Sequence, residues 1–178
     1  MNPSVLRFLL CISLNLGGLT SLKAAEPFTI ANVHGGLVVQ LGAGESAIAA
    51  RLSRTGRYVV HVLAADPAKA EKARKILKTD GVYGLAFAET LTDSTHLPYT
   101  ENLVNVVRLV SLGNTPLTEV LRILTPRGTL LALPGTGLNA AKLKAAGFDS
   151  ISRTKDRELI ARKPWPKDMD TWSHPRHA

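Results

Sequence analysis

The chain of 178 residues carries one cysteine, Cys11, and only 5% aromatic residues. A single cysteine excludes a disulfide framework within the chain. Cys11 sits in the apolar N-terminal segment, so removal of that segment leaves no thiol to act as nucleophile or metal ligand. The scarcity of aromatics makes the core aliphatic, built from Leu, Val, Ile and Ala. No basic stretch is interleaved with aromatics, which argues against a nucleic-acid stacking surface. Acidic residues are few, 14 against 22 Lys and Arg, for a formal charge of +8. The cations are dispersed: Lys69, Lys72, Arg74, Lys75 and Lys78 share one expected helix and read as its solvated face. The apolar run from Phe8 to Leu19 is too short for a good membrane span. There is no Ser-His-Asp order, no paired-carboxylate signature and no internal repeat.

What is present begins with the order of residues 1–25. Arg7 gives a positive start, the apolar run follows, and Leu22-Lys23-Ala24-Ala25 offers small residues for cleavage. This is secretory signal architecture. It places the mature chain outside the cytoplasm, periplasmic or extracellular, with no membrane span left after cleavage; the alternative is a buried N-terminal helix that is no functional signal, which leaves the chain in the cytoplasm. Residues 26–35 read as a linker and 36–163 as one domain of ordinary size. Residues 164–178 form a Pro-, Trp- and His-containing tail without periodicity.

Within the domain the elements alternate. Strands are expected at Leu37–Leu41, Tyr58–Ala64, Val82–Phe87, Leu103–Val110, Thr129–Leu133, Ser150–Thr154 and Glu158–Arg162. Helices are expected at Ser46–Thr55, with Ile48 and Leu52 inward, and at Ala68–Thr79, with Ala70, Ala73 and Leu77 on one face. Leu117, Val120, Leu121 and Leu124 form a further helical stripe, closed by the turn Pro126-Arg127-Gly128. A last helix near Leu138–Ala146 stops at Gly147. Strands alternating with helices argue for a mostly parallel sheet covered on both faces.

The chemistry concentrates after the first strand. Leu37-Val38-Val39-Gln40-Leu41-Gly42-Ala43-Gly44-Glu45-Ser46 is a buried-strand run that breaks into a glycine turn and then a helix. Glycines there let the backbone approach a nucleotide-like ligand. Asp66 follows the second strand, where a carboxylate can accept hydrogen bonds from both ribose hydroxyls; an Asp-Pro turn opening the next helix is the structural alternative. His34 could project into the cleft, His61 reads as a core or surface histidine, and His96 as solvent-facing. His174 and His177 lack the acidic or cysteine partners of a metal site, so no metal is expected.

Three further segments complete the pattern: Asp93-Ser94-Thr95-His96-Leu97-Pro98-Tyr99, Glu119-Val120-Leu121-Arg122-Ile123-Leu124-Thr125-Pro126-Arg127-Gly128, and Leu143-Lys144-Ala145-Ala146-Gly147-Phe148. In this order the segments resemble the class I S-adenosylmethionine-dependent methyltransferases, specifically the small type 11 group, over about Gly36 to Lys163. The resemblance implies a Rossmann-like, doubly wound α/β fold with a mostly parallel seven-strand sheet and an antiparallel last strand. It implies S-adenosylmethionine as cofactor and a small-molecule methyl acceptor. Gly42, Ala43 and Gly44 would approach the methionine part, Asp66 would hold the ribose, and Asp93 would meet the adenine amino group with Ser94 beside it. Gln40 stands where the family commonly carries an acidic residue, and Ser46 where a third glycine is usual. The short loop Ser111-Leu112-Gly113-Asn114-Thr115-Pro116 holds no evident catalytic acid, base or nucleophile, so catalytic residues are not assigned.

The tail, Pro164-Trp165-Pro166 leading to Met169-Asp170-Thr171-Trp172-Ser173-His174, resembles the lead-in to exported proteins that join such a domain to a pyrroloquinoline-quinone-like β-propeller. That resemblance implies a second reading, a non-catalytic structural or docking module with a downstream propeller as partner. A nicotinamide dehydrogenase would share the glycine turn and Asp66 but not the Asp93–Tyr99 and Glu119–Gly128 segments.

Overall fold

The computed structural model describes residues 29–167. The expected signal segment, Met169, Trp172, His174 and His177 lie outside the described residues. The elements in chain order are β1 (Gly36–Leu41), α1 (Ser46–Ser53), β2 (Tyr58–Ala64), α2 (Pro67–Thr79), β3 (Ala86–Thr90), β4 (Val104–Leu109), α3 (Leu117–Ile123), β5 (Leu124–Ala132), α4 (Ala140–Ala145), β6 (Asp149–Arg153) and β7 (Leu159–Arg162).

The strands form one seven-stranded sheet in the order β3-β2-β1-β4-β5-β7-β6. β1 pairs in parallel with β2 and β4, β2 with β3, and β4 with β5. β7 runs antiparallel to both β5 and β6. The strand order reverses beside β1, so the chain connections leave a crevice at the carboxyl ends of β1 and β4.

Each face of the sheet has its own aliphatic core. Val38, Val60, Val62, Ala86 and Ala88 pack against Ala49, Ala50 and Leu52 of α1 and Ala73 and Leu77 of α2. Val39, Leu63, Val107, Leu109 and Leu130 pack on the opposite face against Val120 and Ile123 of α3 and Leu143 of α4. Alternate residues of the central strands are thus buried on both sides, which is why their sequence reads as near-continuous apolar runs.

Several expected boundaries shift. The third strand begins at Ala86, not Val82, and runs on to Thr90. Gly81, at φ +68°, ends α2, and the Val82 N–H returns to the Leu77 carbonyl at 3.1 Å. A turn through Gly84, at φ +117°, then uses Val82–Leu85 before the ladder starts. α3 stops at Ile123 although the apolar period continues to Leu124, because Leu124 pairs with Val104 in the sheet. Its side chain still enters the core that α3 faces. Four residues, Thr125–Gly128, then bulge out before the pairing resumes at Thr129, so the expected Pro-Arg-Gly turn lies inside β5. The last helix is shorter than expected, Ala140–Ala145, capped by the Asn139 side chain on the Lys142 N–H at 2.9 Å.

Between β3 and β4 no helix forms; residues 91–103 are a loop. Glu119 of α3 accepts the Leu97 N–H at 2.7 Å, and Arg122 donates to the Tyr99 carbonyl at 2.9 Å while gripping the Glu119 carboxylate. Leu97 is fully buried beneath this clamp. The Leu-Pro-Tyr step and the Glu-x-x-Arg helix therefore hold each other, which explains why the two motifs occur together in the sequence. The Arg122 hydrogen bond also keeps the Glu119 carboxyl below its ordinary range.

Candidate functional site

The glycine turn sits at the carboxyl end of β1, facing the end of β4. Gly42 adopts φ +100°, and a Cβ there would lie 3.0 Å from the Ser111 nitrogen. A Cβ on Gly44 would lie 2.9 Å from Cγ1 of Val110. Only glycine lets β4 close against the turn this tightly. The Gly42 N–H donates to the Leu63 carbonyl at 2.7 Å, and Val110 and Ser111 both donate to the Leu41 carbonyl. The turn is thereby sewn to β2 and β4.

A buried polar network fixes its interior. The Gln40 amide donates to the carbonyls of Gly42 at 2.9 Å and Gly44 at 2.7 Å. Arg108, on β4 and 4% exposed, donates to the Gln40 side-chain oxygen at 2.9 Å and pairs with the Glu45 carboxylate. The Ser46 hydroxyl donates to the Ala43 carbonyl at 2.9 Å. Every carbonyl from Gly42 to Gly44 is thus taken by the protein. Buried side chains meet their hydrogen-bonding needs here by holding the turn in one shape.

Two adjoining spaces open beside the turn. The larger, about 580 Å³, is lined by Gly42–Ser46, Ala64–Asp66, the α2 residues Lys69, Lys72, Ala73 and Ile76, and Val110 and Ser111. That volume lies in the range of small-molecule sites. The smaller, about 170 Å³, is bounded by Leu41, Leu63, Leu91, Ser94 and the loop Ser111–Thr115. Gly42, Ala65 and Ser111 are common to both.

The structure brings most of the sequence-derived candidates together. Gly42, Ala43, Gly44 and Asp66 line the larger space and Ser94 the smaller. Gln40 lies beneath the turn, fully buried, and lines neither space. β2 ends at Ala64, and Asp66 follows as the cap of α2, its Oδ1 accepting from the N–H groups of Ala68 at 2.8 Å and Lys69 at 3.4 Å. The Asp-Pro turn and the cleft-lining position are therefore the same residue. Asp93 lines neither space; its Oδ1 accepts from the backbone and hydroxyl of Thr95 at 2.8 and 2.6 Å. Those Thr95 hydrogen bonds keep its carboxyl below the ordinary range.

The histidines stand elsewhere. His61 is hydrogen-bonded to the Tyr99 hydroxyl at 2.6 Å and lies 3.3 Å from the Glu89 carboxylate. Burial holds its pKa below 6.5, against the opposing pull of Glu89. His96 is exposed, 3.4 Å from Glu119. Neither His34, His61 nor His96 lines the cleft. Among the described residues no cluster of His, Cys, Asp and Glu could hold a metal ion, and no helix is long and apolar enough to cross a membrane.

Sequence reasoning missed Arg108 and Glu45. The signal for Arg108 was available: a lone charge in the run Val104-Asn105-Val106-Val107-Arg108-Leu109 has to find partners once the strand is buried. Glu45, at φ 59°, carries no comparable sequence signal.

The donor set suits an adenosyl ligand with an amino-acid arm. The glycine cradle lies beside a cleft of sufficient volume, a carboxylate stands at its rim, and a hydroxyl stands in the adjoining pocket. The titratable groups on the cleft wall are Glu45, Asp66, Lys69 and Lys72. This wall can bind and orient; it presents no nucleophile paired with a base.

No family model and no curated protein matches the sequence. Solved structures do match its shape. The [4+2]-cyclase SpnF aligns with a TM-score of 0.61 at 16% identity, over 74% of this chain and 76% of that one. A SAM-dependent methyltransferase from Aquifex aeolicus aligns with a TM-score of 0.53 at 13% identity, over 72% and 81%. The antibiotic-resistance methyltransferase Kmr aligns with a TM-score of 0.54 at 18% identity, over 75% and 88%. A cyclase and methyltransferases share this shape, so the fold alone does not fix the reaction. The likeness shows that the chain has the Rossmann-like fold of S-adenosylmethionine-dependent methyltransferases.

Proposed function

We propose that the chain is a methyltransferase domain that binds S-adenosylmethionine at the glycine turn and transfers its methyl group to a small-molecule acceptor. The observation that carries this reading is the convergence of Gly42–Gly44, Asp66 and Ser94 on two adjoining spaces at the carboxyl ends of β1 to β4. When bound, the cofactor supplies a methyl group already activated on a sulfonium. The protein's part is then to hold it and exclude alternatives, which needs positioning more than a base. Gly42 and Gly44 would admit the amino-acid arm close to the backbone. The Asp66 carboxylate, fixed by its capping bonds, would hold the ribose, and Ser94 would stand beside the base. The Gln40–Arg108–Glu45 network keeps the turn open without the ligand's help.

Membership of the type 11 group is part of the same proposal and is supported by the clamp that joins Leu97–Tyr99 to Glu119 and Arg122. Export is proposed from the order of residues 1–25.

Calorimetric titration of the chain with S-adenosylmethionine tests the reading. Saturable heat is expected, and Asp66→Asn should weaken it about tenfold while leaving stability near wild type, since Asn caps helices as well as Asp does. No heat at millimolar cofactor would sink the proposal. An unchanged affinity in Asp66→Asn would remove Asp66 from the site.

A further inference from the structure

A third space opens at the same end of the sheet, away from the glycine turn. It measures about 170 Å³ and is lined by Ala132–Leu138, Arg153, Arg157 and Leu159. Its position follows from the pairing. β5 runs parallel to β4, so the loop after Ala132 leaves at the carboxyl end, as the glycine turn does. Leu159 of β7 pairs with Ala132, which brings the β6–β7 turn level with that loop. β5 lies two strands from β1, or about 10 Å across the sheet.

The chemistry of this space is cationic. Arg153 and Arg157 both contribute to its wall, and no Asp or Glu does. Neither guanidinium is engaged by a carboxylate among the described residues. Two acids flank Arg157 in the chain, Asp156 and Glu158, and neither contributes to the lining. Arg157 is held at φ 64° by its own N–H on the Thr154 carbonyl at 3.1 Å. On the opposite wall, the carbonyls of Leu133 and Gly137 are occupied. Thr136 donates its hydroxyl to Leu133, and Lys142 donates its ammonium to Gly137, each at 2.9 Å. The lining therefore carries two cationic side chains and no anionic one. Its volume suits an anionic group with a few neighbouring atoms and not a whole cofactor.

We propose that this pocket is an oxyanion site, taking a carboxylate or phosphate between Arg153 and Arg157, and that it anchors the acidic end of the methyl acceptor. The assignment to the acceptor rests on the methyl-transfer reading above; the oxyanion site itself does not. Paired guanidinium groups bind such planar or tetrahedral oxyanions through charge-assisted hydrogen bonds. An acceptor anchored there spans the ends of β4 and β5 to reach the glycine turn; Arg153 and Arg157 lie three to four strands from β1, so its anionic and reactive groups stand about 15 Å apart.

Amide chemical-shift mapping of the full chain tests this with inorganic phosphate and with acetate, each against sodium chloride at equal ionic strength. Saturable shifts at Gly135, Thr136, Gly137 and Arg157 are expected. The R153Q/R157Q double variant should weaken binding roughly tenfold or more; both positions are exposed, so the fold should hold. Lys155→Gln, a cation outside the lining, should change nothing. Tighter phosphate points to a phosphorylated acceptor, and tighter acetate to a carboxylic acid. Shifts that chloride reproduces, or that survive the double variant, overturn the site. A second titration on protein saturated with S-adenosylhomocysteine separates the two claims. Simultaneous occupancy supports the acceptor role, whereas mutual exclusion overturns it. Failure of S-adenosylhomocysteine to bind removes the acceptor role with the cofactor reading, and leaves the oxyanion site to stand or fall on the first titration.

Discussion

Removing Glu45 should destabilise the chain more than removing its partner Arg108, although Glu45 is the more exposed of the two. The Glu45 side chain is 53% exposed, whereas that of Arg108 is 4% exposed. Arg108→Met takes away the buried charge itself. Glu45 can then return to water, and the main loss is a Gln40 oxygen left without its donor, about 1–2 kcal/mol. Glu45→Ala does the reverse. It strands a guanidinium inside the protein with only the Gln40 oxygen for company; a fully buried pair broken in this way costs about 3–5 kcal/mol, and the half-exposed Glu45 reduces that to about 2–3 kcal/mol. Because Arg108 has no carboxylate to lose in the double variant, Glu45→Ala should cost little in the Arg108→Met background. Urea unfolding of the four proteins measures this, with the slope of the transition checked to be unchanged. If Glu45→Ala costs less than Arg108→Met, the network does not hold the turn by burying a neutralised charge, and the reasoning fails.

Glu119 should show up in the pH dependence. Its folded-state pKa lies below 4.5 because of the Arg122 hydrogen bond, so its stabilisation is complete above the unfolded value and disappears as pH falls through the folded one. The urea midpoint of the wild type should therefore drop more steeply below about pH 4.5 than that of Glu119→Gln, which should itself be about 2 kcal/mol less stable at neutral pH; parallel profiles would contradict the clamp. Gly42→Ala combines a left-handed backbone with a Cβ 3.0 Å from the Ser111 nitrogen. It should cost about 1–3 kcal/mol in thermal or urea unfolding, and a neutral substitution would show that the turn is looser than described.

The sheet was legible because its physics is local. Buried parallel strands read as aliphatic runs, and the helix faces of Ala70, Ala73 and Leu77 or Leu117, Val120 and Leu121 repeat at the helical period. The third strand was misplaced because an apolar run does not say where a turn is spent. Val82 is buried like a strand residue while serving as the stop of α2. At the site, the glycines and Asp66 could be named in advance, since a tight turn and a helix cap each demand a residue type. The Gln40–Arg108–Glu45 network could not, because it joins residues 68 and 63 positions apart that meet only when β4 enters beside β1. The oxyanion pocket was hidden for the same reason: Pro134–Leu138 and Arg153–Arg157 become neighbours only when β7 folds back along β5.

These features divide the carboxyl end of the sheet between two tasks. The glycine turn at β1 is a pre-shaped cradle with its own carbonyls satisfied. The arginine pocket at β5 is a charged anchor of smaller volume. The loop Ser111–Pro116 after β4 lies between them and carries the hydroxyls of Ser111 and Thr115 but no charged side chain. Under the proposed methyl-transfer reading, the reaction at that point depends on holding two ligands in line, since the methyl group would arrive already activated.

Amide chemical-shift mapping of the chain during titration with S-adenosylmethionine decides whether the glycine turn is the cofactor site. Saturable shifts should centre on Gly42–Glu45, Ala65, Asp66 and Ser94, the residues around the two adjoining spaces. Absence of saturable shifts, or shifts gathered at Gly135–Arg157 with the turn unmoved, would contradict it.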